Sequence, residues 1–328
     1  MARERSPIDV GVIGVGTMGN HHARVYDALP TANLVGVSDV DERRARRVAQ
    51  KYETSPMAFD RLLRSVDAVS VAVPTAHHYD VTTACLDAGV APLVEKPIAS
   101  DLEEGRRLRA AAARADVPVQ VGHVERFNPA VTTLEEIVSD LSIVSVAAER
   151  LGPPPDRRID DSAVLDLMIH DIDVVCSLLG ETPETIESAG VRDNRYASAL
   201  LSFDSGRVAS LTASRLTQRK VRRLRLTARQ CLVELDYTDQ SIEIHRRSYP
   251  EYVERNGDVR YRHESIVERP QVSNDEPLRR QLESFLEAVA TNDTPAVTID
   301  DGVAALEIAH AIDENARREQ RRTEIIDD

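Results

Sequence analysis

The sequence predicts an α/β protein: a doubly wound parallel sheet in residues 1–122, then an α+β domain with an open, largely antiparallel sheet in residues 123–328. Three observations carry that expectation. Strand-like and helix-like segments alternate up to residue 122, the grammar of parallel strands joined by right-handed crossovers. Beyond it, six strand-like runs follow one another without intervening helices, which favours antiparallel pairing. A chain of 328 residues also exceeds one ordinary domain and suits two, each able to bury a core.

In order, the first apolar run of strand length covers 8–13 and stops at Gly14; helix follows over 20–29 and strand over 33–38. A charged helix at 41–52, a small helix at 60–64, strand 67–73 ending before Pro74, and helix 77–88 closing on Gly89 come next. Strand 91–94, helix 102–115 and strand 117–121 complete the first set. The second half opens with helix 129–139, strand 143–149, a proline-rich loop at 152–155, and a mostly apolar helix 162–179 ended by Gly180. Strands are expected at 185–191, 197–203, 208–215, 222–228, 232–237 and 241–245, with Asp204-Ser205-Gly206 as a hairpin turn. Two helices, 278–290 and 302–322, end the chain.

Composition excludes several classes. Hydrophobic residues make up 42% and charged residues 29%, as in a soluble globular protein, and no apolar run approaches the roughly 18 residues of a membrane helix. No apolar stretch suited to a signal peptide follows the N-terminal charges, and Cys85, Cys176 and Cys231 are isolated, so a cytoplasmic protein without a disulfide framework is expected. The net charge of −14 argues against a nucleic-acid partner, which calls for a basic face. Lys51, Lys96 and Lys220 are the only lysines. An acidic, arginine-dominated surface suits a halophilic cytoplasm, where salt screens self-repulsion; a genome rich in arginine codons is the competing explanation.

Chemistry concentrates in four places. Gly14, Gly16 and Gly19 form G-x-G-x-x-G between a strand and a helix, the arrangement that lets backbone N–H groups and a helix N-terminus receive a pyrophosphate. Asp39 ends the next strand about 20 residues on, where a carboxylate accepts from the adenosine ribose hydroxyls and repels a 2′-phosphate, favouring NAD over NADP. Asp39 as a mere cap for the following helix is the competing reading, and Arg43 and Arg44 keep NADP open. Glu95-Lys96-Pro97 falls at the carboxyl end of a parallel strand, where ligands of such sheets bind; an ordinary loop lysine is the alternative. On a regular helix Asp166, His170 and Asp173 share one face, so that a carboxylate orients a basic imidazole. Incidental surface charges or a metal site compete with that reading, but no other histidine or cysteine cluster accompanies them and no metal is expected. The fourth place, Gly122-His123-Val124-Glu125-Arg126-Phe127-Asn128-Pro129, sits at the domain junction, where Asn128 before Pro129 reads as a helix start. His21, His22, His77 and His78 lie at or near helix starts, and each alone reads as structural.

Together, Gly14-Val15-Gly16-Thr17-Met18-Gly19, Pro74 with His78, Glu95-Lys96-Pro97, Arg126-Phe127-Asn128-Pro129 and Asp166 with His170 resemble the Gfo/Idh/MocA family of NAD(P)-dependent oxidoreductases across nearly the whole chain. The resemblance implies a Rossmann domain over 1–122 that binds NAD through these glycines, Thr17, Met18, Asp39, Pro74, His78, Glu95 and Lys96, with a cis bond before Pro97. It implies a substrate-binding and oligomerisation domain over 123–328, whose open sheet makes a homodimer or homotetramer. It also places a catalytic set on Lys96, Asp166 and His170, with a sugar hydroxyl expected between Lys96 and His170. One departure is Asp160-Asp161-Ser162-Ala163-Val164-Leu165, where many members carry a glycine-rich run. This variant, with residues 122–130 and Arg150-Leu151-Gly152-Pro153, looks most like the archaeal UDP-N-acetylglucosamine 3-dehydrogenase group. A small-molecule nucleotide sugar then needs local positive charge for its diphosphate, with Arg126, Arg150, Arg157 and Arg158 as candidates and Asn128 beside them. Pairing of those arginines with Glu125, Glu149, Asp156 or Asp160 is the competing reading. Free inositol or an unactivated sugar as substrate, or a non-catalytic NAD-binding sensor, are the other functions considered.

Overall fold

The computed structural model describes residues 6–154, 161–247, 251–255, 258–262 and 265–326. The chain divides into two compact units, Met1–Phe127 with Asp275–Glu307, and Asn128–Asn274 with Ile308–Asp328.

The first unit runs β1 (Ile8–Ile13), α1 (Thr17–Ala28), β2 (Ala32–Ser38), α2 (Glu42–Lys51), β3 (Ser55–Pro56), α3 (Phe59–Leu63), β4 (Ala68–Val71), α4 (His78–Asp87), β5 (Ala91–Glu95), α5 (Leu102–Ala112) and β6 (Gln120–Gly122). Its six strands pair in the order β3-β2-β1-β4-β5-β6, every pair parallel. The alternation in the sequence leads directly to this sheet. Both faces are covered, which is why the strands are apolar on both sides. Val10, Val12, Val37 and Leu93 pack with Tyr26 on one face, and Ile13, Val69, Val71 and Val94 pack with Leu62 and Leu108 on the other.

Two late segments return to this unit, whereas the sequence reading assigns everything after residue 122 to the second domain. Helix α8 (Pro277–Thr291) adds Leu278, Leu282, Phe285 and Leu286 to the first cluster. The start of α9 (Ile299–Ile326) adds Val303 and Leu306 to the second. Burial of these side chains ties the segment to the first sheet, and truncating a fully buried residue such as Phe285 to alanine costs about 3–5 kcal/mol. Gly302 lets α9 approach closely, since a Cβ there would lie 2.8 Å from Val121 Cγ2.

The second unit holds α6 (Pro129–Val138), β7 (Ile143–Leu151), α7 (Ile169–Leu179), β8 (Thr185–Val191), β9 (Tyr196–Ser202), β10 (Val208–Ser214), β11 (Val221–Ala228), β12 (Leu232–Asp236) and β13 (Ser241–Arg247). Three further strands, β14 (Glu251–Arg255), β15 (Asp258–Arg262) and β16 (Ser265–Glu268), have no counterpart in the sequence reading. An eight-stranded sheet follows the order β16-β13-β12-β11-β7-β10-β9-β8 and is antiparallel except between β7 and β10. Alternating residues bury one face, among them Val146, Leu211, Leu224, Leu226, Val233 and Ile244. The turn after β9 is the expected one, with Gly206 at φ 79°. Among the described residues, β14 and β15 pair only with each other.

The helix expected over 162–179 is not uniform: Val164–Met168 is wound as a π-helix, and α-helix begins at Ile169. This wider turn changes which residues stack, and such turns occur frequently at functional sites. No described helix is long and apolar enough to cross a membrane.

Candidate active site

The glycine turn shows what each glycine is for. Gly14 adopts φ +82°, and a Cβ on it would lie 2.8 Å from the Ala72 carbonyl. A Cβ on Gly19 would lie 1.8 Å from the Gly14 oxygen, so only glycine lets α1 rest against the turn. At Gly16 an added Cβ meets nothing within 4 Å, leaving open space. Helix α1 starts at Thr17, three residues earlier than expected, which puts Thr17, Met18 and Gly19 in its first turn. Gly16 caps it without a side chain and that turn holds no acid, so nothing from the cap competes with an anion for the first N–H groups. This donor set and open cradle fit a dinucleotide pyrophosphate.

Asp39 is wired into that cradle. Its side chain is only 4% exposed, Val15 N–H donates to Oδ2 at 2.8 Å, and Asp41 N–H donates to Oδ1 at 2.8 Å. The capping of α2 falls instead to Asp41, which accepts from the Arg43 and Arg44 N–H groups at 3.0 and 3.1 Å. Arg44 Nη1 lies 3.4 Å from Asp39 Oδ2.

Glu95 and Pro97 show why the end of β5 is well defined. Glu95 is buried, and Oε1 lies 3.0 Å from His22 Nε2. His22 Nδ1 meets Ser70 Oγ at 2.8 Å, and Tyr26 Oη meets the same Oγ at 2.9 Å. Burial pushes the Glu95 carboxyl up, but the hydrogen bond from His22 and the nearby charges of His22, Lys96 and His78 outweigh it and hold the pKa below the usual value. Burial alone pushes the Tyr26 phenol well above its ordinary value, so it stays neutral and can donate. The Lys96–Pro97 bond is cis, as the resemblance implies. His78 is buried beyond it, with Nδ1 2.8 Å from the Pro97 oxygen and Nε2 3.0 Å from the Val73 oxygen. Two carbonyls favour an imidazolium and burial opposes it; burial wins, and the pKa is lowered. Pro74 caps the short turn Thr75–His77 that leads into α4. His22 and His78 are therefore core residues rather than exposed helix-start residues, while His21 and His77 are exposed.

In the second unit, Asp166 lies in the π-wound turn and His170 is the second residue of α7. The regular i, i+4, i+7 stack expected for Asp166, His170 and Asp173 is thereby altered in its first turn. A residue the sequence reading missed, Arg215, meets Asp166: Nη2 lies 2.5 Å from Oδ2, while Nη1 donates to the Asp161 carbonyl. Arg215 is 7% exposed and Asp166 30%. Arg215 follows β10 and is one arginine among many, with no motif to mark it.

The proposed diphosphate arginines differ from one another. Arg150 is 4% exposed and forms a two-pronged pair with Asp171, at 2.8 and 2.9 Å, with Tyr237 5.0 Å from its guanidinium. Its charge answers an internal acid, Asp171 rather than Glu149. Asn128 caps α6 by accepting from Ala130 N–H at 3.1 Å and donates to the Tyr237 carbonyl at 3.1 Å, so its amide serves the fold on both sides. Arg126 is partly exposed and donates to the Ala296 carbonyl at 3.4 Å. Arg157 and Arg158, with Asp156 and Asp160, lie outside the described residues. Among the described residues, Glu234, Glu243 and His245 alone group closely enough to suggest a cation, on β12 and β13, and Arg269 already pairs with Glu243 there.

Comparison with known proteins agrees with this architecture. Residues 8–123 match the Gfo/Idh/MocA model described as an oxidoreductase family with an NAD-binding Rossmann fold, and residues 141–234 match a GFO/IDH/MocA C-terminal domain. The chain is 32% identical over 287 residues to UDP-N-acetylglucosamine 3-dehydrogenase of Acidithiobacillus ferrooxidans, covering 86% of this chain and 88% of that one. It is 26% identical over 324 residues to an inositol 2-dehydrogenase of Rhizobium meliloti, covering 92% and 94%. The solved structure of the Acidithiobacillus enzyme superposes with a TM-score of 0.86 at 30% identity, over 94% of this chain and 97% of that one. That relative is bacterial, so the archaeal part of the expected likeness is corrected.

Proposed function

Because the chain belongs to the Gfo/Idh/MocA family of NAD-binding oxidoreductases, we propose that it oxidises the 3-hydroxyl of UDP-N-acetylglucosamine. It is an NAD-dependent dehydrogenase acting on CH–OH. The observation that carries the nucleotide-sugar reading over inositol is the higher identity to the Acidithiobacillus enzyme, sustained over most of both chains.

When bound, NAD supplies the hydride acceptor. Gly14, Gly16 and the first turn of α1 would hold its pyrophosphate, and Asp39 would accept from its ribose hydroxyls. His170 receives the proton of the substrate hydroxyl, and Lys96 donates a hydrogen bond to the oxygen as charge develops on it. Asp166 supports the histidine while its own charge is shared with Arg215. Arg126 remains the described candidate for the diphosphate, because it is partly exposed where Arg150 is buried against Asp171.

UDP alone tests the reading. It should compete with the sugar nucleotide, and Arg126→Met should raise the Michaelis constant more than it lowers turnover. Inert UDP at millimolar concentration would return the assignment to inositol or a free sugar.

A further inference from the structure

The three residues around Lys96 are held from both ends by buried histidines. On the N-terminal side, Glu95 is fixed by His22, which is fixed by Ser70, which is met by Tyr26. One polarity satisfies the whole chain: Tyr26 donates to Ser70, Ser70 to His22 Nδ1, and His22 Nε2–H to the Glu95 carboxylate. On the C-terminal side, His78 sits between the Pro97 carbonyl, 2.8 Å from Nδ1, and the Val73 carbonyl, 3.0 Å from Nε2; the neutral ring carries one N–H, and in the Nδ1–H tautomer it donates to Pro97. Gly122 closes a third side, since a Cβ there would stand 3.0 Å from Glu95 Cα, Cδ and Oε1. His22 and His78 are 0% and 1% exposed, so solvent plays no part in either contact.

We propose that His22 and His78 are positioning residues for Lys96, a clamp that fixes its backbone on both sides and so fixes where its ammonium can be placed. The proposal rests on Lys96 serving the dehydrogenase reaction. A polar chain is a costly way to fill a core, because apolar residues of similar volume commonly serve stability as well or better. It supplies direction, which apolar packing lacks. Each link restricts the next, and a lysine on a flexible four-carbon stem needs a fixed base to deliver one donor to one oxygen. Ser70 stands between Tyr26 and His22 and reaches Glu95 through His22.

The test uses variants that remove or keep the hydrogen bond. His22→Leu and His78→Leu remove it, whereas His22→Gln and His78→Asn keep a donor near the original nitrogen. Turnover with NAD and UDP-N-acetylglucosamine should fall roughly 10–100-fold in the leucine variants, the usual effect of about 1 Å of misplacement. It should recover to within a few-fold in the Gln and Asn variants, with the Michaelis constant for NAD little changed. Lysine labelled with ¹³C at Cε gives a readout independent of turnover, because the chain has only Lys51, Lys96 and Lys220. The Lys96 signal should shift or broaden in the leucine variants while the other two stay in place. If a leucine variant does not fold, Ser70→Ala replaces it, and it should move the Lys96 signal in the same direction. Folded His22 and His78 variants with wild-type turnover and an unmoved Lys96 signal overturn the clamp. A Lys96 signal that moves in a protein that does not oxidise UDP-N-acetylglucosamine would support the clamp and remove the UDP-N-acetylglucosamine reading.

Discussion

The two units present chemistry in different ways. At the glycine turn the candidate groups are chiefly main-chain ones, the N–H groups at the start of α1 and a Cβ-free path at Gly16, with one side chain, Asp39, held by the turn's own Val15 N–H. In the second unit charged side chains pair across elements, Asp166 with Arg215 and Asp171 with Arg150. A main-chain site depends on local spacing, which the glycines and the strand end at Asp39 record. A site of paired side chains depends on which strand lies beside which helix, and no local spacing records that.

The largest expected effect tests whether both units contribute to the reaction. Lys96→Met, in the first unit, and His170→Ala, in the second, should each lower turnover by about 10²–10⁴-fold with NAD binding retained. Steady-state kinetics with NAD titration checks this, and near wild-type turnover of either variant removes that residue's role. The next largest separates stability from binding in the second unit. Arg150→Met deletes the guanidinium facing Asp171, and breaking a buried pair costs about 3–5 kcal/mol. Chemical denaturation should show that loss. A stable variant with a raised Michaelis constant would instead return Arg150 to the substrate.

Smaller effects come from the glycines, where one substitution acts on packing and the other on the ligand. Gly19→Ala should destabilise by about 1–3 kcal/mol or more, because its Cβ has no room beside the Gly14 oxygen. Gly16→Ala should leave the melting temperature nearly unchanged and weaken NAD binding. Equal effects of the two on stability would contradict the open cradle.

Much of the first unit was legible in the sequence because strands buried on both faces and joined by helices leave a repeating pattern. The same holds for the cradle, whose glycines and Asp39 have fixed spacing. The return of α8 was not legible: Leu278, Leu282 and Phe285 announce a buried stripe but not the sheet it covers. His22 could have been read better, since Gly19, His22, Ala23 and Tyr26 follow helical spacing and all four are buried. The π-wound turn at Val164–Met168 has no glycine or proline to signal it, and Arg215 has no motif. Both were visible only once β10 and the helix were placed.

The smallest expected effect is a pH dependence of stability. His78 is faced by Glu95, His77 and the Val73 and Pro97 carbonyls, and burial lowers its pKa from the ordinary value of about 6.5. The unfolded chain then binds more protons than the folded one below that pH. The stabilisation is complete above about pH 6.5 and is lost as pH falls toward the folded pKa, with a slope of at most about 1.4 kcal/mol per pH unit for one proton. Glu95 has the same sign, but its window lies below the ordinary glutamate value, so melting between pH 7.5 and 5.5 isolates the histidine. The slope should shrink in His78→Asn; an unchanged slope assigns it to other groups.

The most direct test of the central claim is the initial rate of NAD reduction by purified protein with UDP-N-acetylglucosamine, free N-acetylglucosamine and myo-inositol, each over a concentration series. The kcat/KM should be highest for the nucleotide sugar, and UDP should inhibit that reaction competitively. Turnover of inositol or the free sugar with UDP-N-acetylglucosamine inert would contradict it.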